Sequence, residues 1–300
     1  MTRKRKLGIG MAVLILLAFV LLLAVNDQPA SPAVALPNPN GYDDFVKAGL
    51  EVTVDRDGYP NGGEIESLRT FITNNAEPLR LLRLGLSRDC RVPIEYSQDY
   101  VGSHLPELAL LKQLGHTVIR EGKLAEMERR YGDAARAYLD AIRLGQEVKR
   151  GGVLIDGLVG VAIESLGSTA LQALVPNLHV IECREAIQTL EIIESKRESF
   201  AEILKHEKEW SRRSFPWGMR VVGNIQRLFK FSSIAQAQQR ALTKFQTYDH
   251  RQRTLMIDLA SRAYELEKGQ RPKSSAELVP GYLKAVPLDP LTGTNMVNMP

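Results

Sequence analysis

The sequence predicts an all-α protein: an N-terminal transmembrane helix followed by an extended bundle of antiparallel helices. Three observations carry this. From Gly62 onward, apolar residues recur at spacings of three and four, the period of one helix face. No stretch of useful length alternates apolar and polar residues with the period of two that a strand requires. Near the N-terminus, Leu7 to Val25 runs for 19 residues without a charged or strongly polar side chain.

That run is long enough to cross a bilayer as one helix, since about 20 residues at about 1.5 Å each match a hydrocarbon core near 30 Å. Arg3, Lys4, Arg5 and Lys6 precede it, and a basic flank is retained in the cytoplasm. Residues 1–6 are therefore the cytoplasmic flank and 7–25 the anchor. The main domain is sent to the exported, periplasmic or extracytoplasmic side of a bacterial envelope. A cleaved secretory signal has the same order of parts, but its apolar region is typically about 7 to 15 residues with a small-residue cleavage site close behind. Here the nearest A-x-A triplet, Ala33-Val34-Ala35, lies well beyond Val25, so the segment reads as an uncleaved signal anchor. No cysteine directly follows it to accept a lipid. Residues 26–40 place four prolines among small and polar residues and read as an extended linker, with the folded domain beginning near Gly41.

The formal charge of +4 belongs to the anchor flank. Without its four bases the 39 Lys and Arg fall to 35, against 35 Asp and Glu. A nucleic-acid-binding domain carries a basic surplus on one face, so no nucleic-acid partner is expected. Locally the charge is polarised. Asn26 to His104 holds twelve acids against seven bases, while Trp210 to Arg253 holds nine bases and one acid, Asp249. The simplest reading is that the two regions face each other or that each faces something else. Cys90 and Cys183 are the only cysteines. A disulfide between them is allowed outside the cytoplasm, and two separate buried thiols are the alternative.

The helical domain spans 41–268. Ile65, Leu68, Phe71 and Ile72 form one stripe, and Pro78 starts a short helix through Leu86, as proline in a first turn does. Cys90 to Leu105 reads as irregular, and Pro106 opens a helix carrying Leu108, Leu111, Leu114, Val118 and Ile119. Tyr131-Gly132-Asp133 reads as a turn with Asp133 the N-cap, and Ala134 to Val148 as the returning helix. Gly122, Ala125, Ala134, Tyr138 and Ala141 fall in register on the small and aromatic positions of a tetratricopeptide repeat, which this hairpin resembles. Glu121 and Gln146 depart from that pattern, and no second copy follows at the 34-residue period. Any antiparallel hairpin with alanines at its crossing is the alternative.

Gly151 to Leu174 is apolar enough to resemble a second span, yet contains Asp156 and Glu164, and a carboxylate at mid-bilayer costs about 2.5 to 3.5 kcal/mol. Its glycines point to close helix contact, so it reads as the buried central helix. Asn177 to about Arg213 reads as one long helix with Leu178, Ile181, Leu190, Ile193, Phe200, Leu204 and Trp210 inward, ended by Phe215-Pro216-Trp217-Gly218. Ser232 or Ser233 caps a last helix reaching Lys268.

Two segments have compositions that point to partners. Between Gly218 and Phe231, Val221, Val222, Ile225, Leu228 and Phe229 share one helical face. Arg220, Arg227 and Lys230 lie on the other, with Trp217 preceding. That is the composition of an interfacial membrane helix, and Trp217, Arg220, Arg227 and Lys230 are candidate membrane-surface or partner contacts; an ordinary bundle helix is the alternative. The second segment is 269–300, where Ser274 and Glu277 form a capping box before Gly281-Tyr282-Leu283-Lys284, Pro287 and Asp289-Pro290. This tail is similar to that of the type II secretion major pseudopilins. In that family the segment leads into short strands and a calcium-binding loop; Asp289 alone is no calcium site, and no cofactor or metal is expected. The two segments, together with Cys90-Arg91-Val92-Pro93 and the Gly151–Glu164 segment, resemble uncharacterised bacterial membrane-anchored helical proteins with the same order of anchor, Pro-rich spacer, helical domain and DP-x-x-G tail, a resemblance that covers most of the chain. That resemblance implies no activity.

No catalytic motif is present. The five histidines are scattered, and there is no H-E-x-x-H, G-x-S-x-G, Walker loop or C-x-x-C. Most carboxylates sit beside Lys or Arg at helix-stabilising spacing. Asp156 and Glu164 are the exceptions, a candidate buried polar pair about 12 Å apart along one face, too far for most reactions on one bond; salt-bridge or backbone partners are their expected role. The sequence thus predicts a non-enzymatic, single-pass envelope protein that binds another envelope protein, with an envelope hydrolase using Glu164 or Asp156 as the alternative.

Overall fold

The computed structural model describes residues 34–54, 65–216 and 231–296, with the side chains of 231–235 left aside. The anchor, the first part of the linker, and Trp217, Arg220, Arg227 and Lys230 lie outside these residues. Within them the chain is all-helical, with no strand.

The helices in chain order are α1 (Gly41–Glu51), α2 (Ile65–Asn74), α3 (Ala76–Leu86), α4 (Tyr100–Met127), α5 (Tyr131–Val148), α6 (Leu154–Leu174), α7 (Val180–Ser195), α8 (Phe200–Ser214) and α9 (Phe231–Lys268). Single 3-10 turns at Val175–Asn177 and Ser275–Leu278 follow α6 and α9. Helix α5 lies at the centre, against α4 on one side and α6 on the other, and contributes to both large apolar clusters. One cluster gathers α1, α3, α4 and the start of α6; the other gathers the end of α6, α7, α9 and the tail.

Local chemistry explains the entry points. Asn40 caps α1 by accepting the Tyr42 N–H (3.3 Å). It also exchanges hydrogen bonds with the backbone of Arg91, pinning α1 to the segment after α3. Helices α5 and α6 approach most closely where Gly145 meets Gly160: a Cβ on either would stand 2.5 Å from the other's carbonyl oxygen, so only glycine fits.

Three element boundaries differ from the sequence reading. Helix α4 starts at Tyr100, not Pro106, which sits inside it. Proline forfeits one backbone hydrogen bond, but Tyr100 and His104 are buried in the core and hold the preceding turn in place. The turn into α5 falls before Tyr131, so Asp133 lies in the first helical turn and is not the N-cap. Arg129, at φ 59°, closes α4 in a Schellman arrangement with Arg130 N–H on the Ala125 carbonyl (2.8 Å). The predicted single helix from Asn177 is two helices, broken at Lys196–Glu198. Ser199 and Glu202 form a reciprocal capping box that starts α8. Within α7 the buried stripe is Cys183, Ala186, Ile187, Leu190 and Ile193, and Ile181, expected inward, lies half a turn from Leu190 on the opposite face and is 70% exposed.

Helix α6, extended to Asn177, is the one segment among the described residues long and apolar enough to cross a membrane. Half of that window is buried inside the bundle, as a core helix is.

The tail packs onto α7 and α9, with Leu278, Leu283 and Met296 buried. Ser274 makes no side-chain capping bond; Glu277 instead accepts from the Lys273 N–H and the Tyr264 hydroxyl. An isolated antiparallel bridge pairs Leu288 with Asn295 around the Asp289–Thr294 turn.

Candidate functional site

Asp156 and Glu164 are fully buried, and each is held in its own network. Asp156, in the first turn of α6, accepts the Val153 N–H through Oδ2 (2.7 Å) and meets His104 Nε2 through Oδ1 (2.7 Å). The other ring nitrogen of His104 faces Glu107 (3.3 Å), which also accepts the Tyr42 hydroxyl (2.8 Å). Tyr100 stacks on the imidazole at 4.8 Å between centroids. Burial opposes a charge on His104, but the hydrogen bonds to Asp156 and Glu107 outweigh it and raise its pKa to about 9. The ring is an imidazolium clamped between two carboxylates, joining α1, α4 and α6. Burial drives the Tyr42 and Tyr100 hydroxyls well above the ordinary range, so neither supplies a nucleophile.

Glu164 receives Lys149 Nζ at 2.6 Å and Arg197 at 3.4 Å. Arg197 continues to Asp249 (3.3 Å), to Glu194 (2.9 Å) and to the Gln252 carbonyl oxygen, which also accepts the Tyr248 hydroxyl (2.6 Å). Arg253 closes the network on Glu194 (2.5 Å). Three cations and three carboxylates from α5, α6, α7, the α7–α8 junction and α9 thus neutralise one another. Burial lowers the pKa of Lys149, against the opposing pull of Glu164, and Gln252 Nε2 is left buried without a partner.

The Cys90–Cys183 bridge offered by the sequence is absent. Both thiols are free and buried in different clusters, Cys90 near the Glu147 carbonyl. Burial pushes the Cys183 thiol up to about 11 and Cys90 higher, so both are unreactive. Among the described residues no ion pair joins the acidic early region to the basic later one: Arg213 pairs with Glu209 in its own helix and Arg253 with Glu194 of α7, while Arg213 meets the early region only through the ring of Tyr96 (4.4 Å). No group of three potential metal ligands occurs among the described residues.

Solvent-reachable concavities lie elsewhere. A crevice of about 550 Å³ between α6 and α9 has the Ser168–Tyr248 hydroxyl pair (3.3 Å) in its lining, backed by the Glu164–Arg197 network. A longer groove follows α5. One stretch, about 460 Å³, includes Arg83, Asp133, Arg136 and Asp140; a second, about 270 Å³, includes Gln146, Glu147, Arg150 and Lys196; Arg143 belongs to both. After Gly132 the only residues of α5 that reach solvent are Asp133, Arg136, Asp140, Arg143 and Glu147, and Arg150 continues the series just past its end. Acid and base alternate along this ladder at spacings of three and four. Arg136 meets Asp133 at 2.5 Å, Arg143 meets Asp140 at 3.6 Å and Arg150 meets Glu147 at 3.3 Å. In the sequence these residues read as ordinary helix-stabilising pairs; the further signal is that, from Ala134 onward, every other position of α5 except Gln146 is small or apolar.

No protein-family model, curated protein or solved structure matches this chain.

Proposed function

We propose that this is a non-enzymatic, single-pass envelope protein whose helical bundle is a protein-interaction module on the exported side of the membrane. The apolar run at 7–25 and its basic flank support the anchoring and orientation. The observation that carries the interaction reading is the groove along α5, open to solvent and lined by alternating acids and bases with apolar residues such as Ile72, Leu124 and Leu139 among them. A hydrolase would need a carboxylate that substrate can touch, whereas Asp156 and Glu164 are both 0% exposed and spent on internal partners. The tetratricopeptide-like hairpin of α4 and α5 supplies the groove's floor and one wall, with Tyr138 packed against Gly122 at its crossing.

Site-directed photo-cross-linking in intact membranes tests this. A benzoylphenylalanine in place of Arg136 or Arg150 is expected to give one discrete adduct, and one in place of Arg80, on α3 outside the groove, none. Absence of an adduct from every groove position overturns the reading.

A further inference from the structure

The side of the bundle opposite the α5 groove carries charge that the fold leaves unmatched. Along α9, Arg240, Lys244, Thr247 and Arg251 recur at spacings of four, three and four, which sets them on one line of the helix within about 60°. All four are exposed, and none of the three bases has an ion-pair or hydrogen-bond partner among the described residues. From Gln236 to Arg251 the one acid is Asp249, which lies about half a turn from that line and meets Arg197 (3.3 Å). Asp258, the next acid on the line, is two turns further along and accepts from Gln172 (2.9 Å).

Beside the line lies the outward strip of α6. Leu158, Ala162, Ser165, Leu166, Thr169 and Ala173 fall within about 100° of one another on that helix and run for about 22 Å without a charge. Ala162, Thr169 and Ala173 are exposed, and the other three are half-buried. Gly160, Glu164 and Gly167 point the opposite way, into α5. The crevice between α6 and α9 joins the two features, with Ser165 and Thr169 on one wall and Arg251 on the other. An uncharged strip beside a row of unpaired bases matches an anionic bilayer surface: apolar side chains enter the headgroup boundary while the bases meet lipid phosphates. An acidic peptide matches the bases alone.

The linker supplies the position. Asn40 is bonded to the backbone of Arg91, and the Arg91 side chain lies against Gly151, at the turn before α6. Helix α9 runs beside α6 in the same direction, Phe245 against Gly157 and Asp258 against Gln172. Arg240 and Lys244 therefore lie at the end of the bundle where the linker enters. Residues 26–40 reach at most about 50 Å, enough to lay this side on the bilayer.

We infer that the α9 line of Arg240, Lys244 and Arg251, with the α6 strip beside it, docks the bundle side-on to a bilayer surface rich in anionic phospholipid. The inference rests on the membrane-anchored reading above. Gly145 of α5 faces α6, and Arg136, nine residues earlier, is half a turn away, so docking leaves the α5 groove facing outward.

The test uses the full chain carrying Thr247→Cys or, as control, Arg136→Cys, labelled with a nitrobenzoxadiazole dye. It is reconstituted into vesicles of phosphatidylglycerol and phosphatidylcholine, part of the latter bearing a nitroxide on its upper acyl chain. The wild type, whose two thiols are buried, is the blank. Quenching at position 247 is expected to exceed that at 136 by about threefold and to weaken as salt rises from about 0.05 to about 0.5 M. It should fall to the level of 136 in Arg240→Glu/Lys244→Glu and in vesicles of phosphatidylcholine alone, with helix content by circular dichroism the same throughout. Equal quenching at the two positions overturns the proposal, as does quenching at 247 that survives the charge reversals or the neutral vesicles. A discrete protein adduct from a benzoylphenylalanine in place of Lys244 in intact membranes overturns it too, by making the line a protein-docking surface. A chain retained in carbonate-washed membranes without quenching at 247 removes this proposal alone; a chain lost from those membranes removes the anchored reading with it.

Discussion

At the scale of residues, the bundle buries charge and matches it. Asp156 and Glu164 were conspicuous in the sequence because they interrupt an apolar helix. Their partners were not, because His104, Lys149 and Arg197 come from elements placed beside α6 only by tertiary packing. Removing one member of such a buried pair leaves the other uncompensated, at about 3 to 5 kcal/mol. Lys149→Met is therefore expected to lower the unfolding free energy by that order in urea titration, and Lys149→Met/Glu164→Leu to recover a large part of it; a double variant no better than the single would refute the pairing. His104 gives a pH signature. Its folded pKa of about 9 stands above the ordinary 6.5, so its contribution is complete below pH 6.5 and is lost as pH rises through 9, about 3 kcal/mol in all. Glu107 has the opposite sense: burial pushes its pKa up, the His104 and Tyr42 hydrogen bonds pull it further down, and its contribution is lost only on acidification. Unfolding free energies measured from pH 6 to pH 10 should fall in the wild type and run flatter in His104→Gln; parallel profiles would rule out His104 as the source.

At the scale of elements, the helical period located nearly every helix, whereas the punctuation between helices was less legible. Gly and Pro drew attention as breakers, yet the chain turns sharply at Arg129 and breaks before Ser199, and it runs helically through Pro106. The Ser199–Glu202 capping box was present in the sequence but masked by an apolar stripe that seemed to run through it. Glycines show why residue type alone does not fix the outcome. Gly160→Ala would push a methyl to 2.5 Å from the Gly145 carbonyl oxygen, and overpacking of this kind costs about 1 to 3 kcal/mol. Gly102→Ala, in the first turns of α4 with nothing within 4 Å of its added carbon, gains helix propensity of about 0.5 to 1 kcal/mol. Thermal unfolding of the two variants should move in opposite directions from the wild type; a shared direction would mean that the α5–α6 approach is looser than described.

At the scale of the whole molecule, the net charge is confined to the N-terminal segment. The four bases before the apolar run account for all of the +4, and the remainder is neutral in sum, with ion pairs of the described residues formed within helices and between neighbouring ones. A neutral sum supplies no net long-range attraction to a charged partner, so the proposed recognition is argued from local geometry such as the α5 groove. On the proposed single-pass topology the same four residues would set which side of the membrane that groove faces, since orientation follows basic residues flanking a span more than net charge. In spheroplasts, added protease should digest the bundle of the full chain, while carbonate-washed membranes of untreated cells should retain it. Replacing Arg3, Lys4, Arg5 and Lys6 by serine should raise the protease-protected fraction. A wild-type bundle protected in the membrane pellet would reverse the orientation, and a shortened chain in the soluble fraction would make the apolar run a cleaved signal; either result would leave the buried networks and the groove as described but change the compartment in which a partner must be sought.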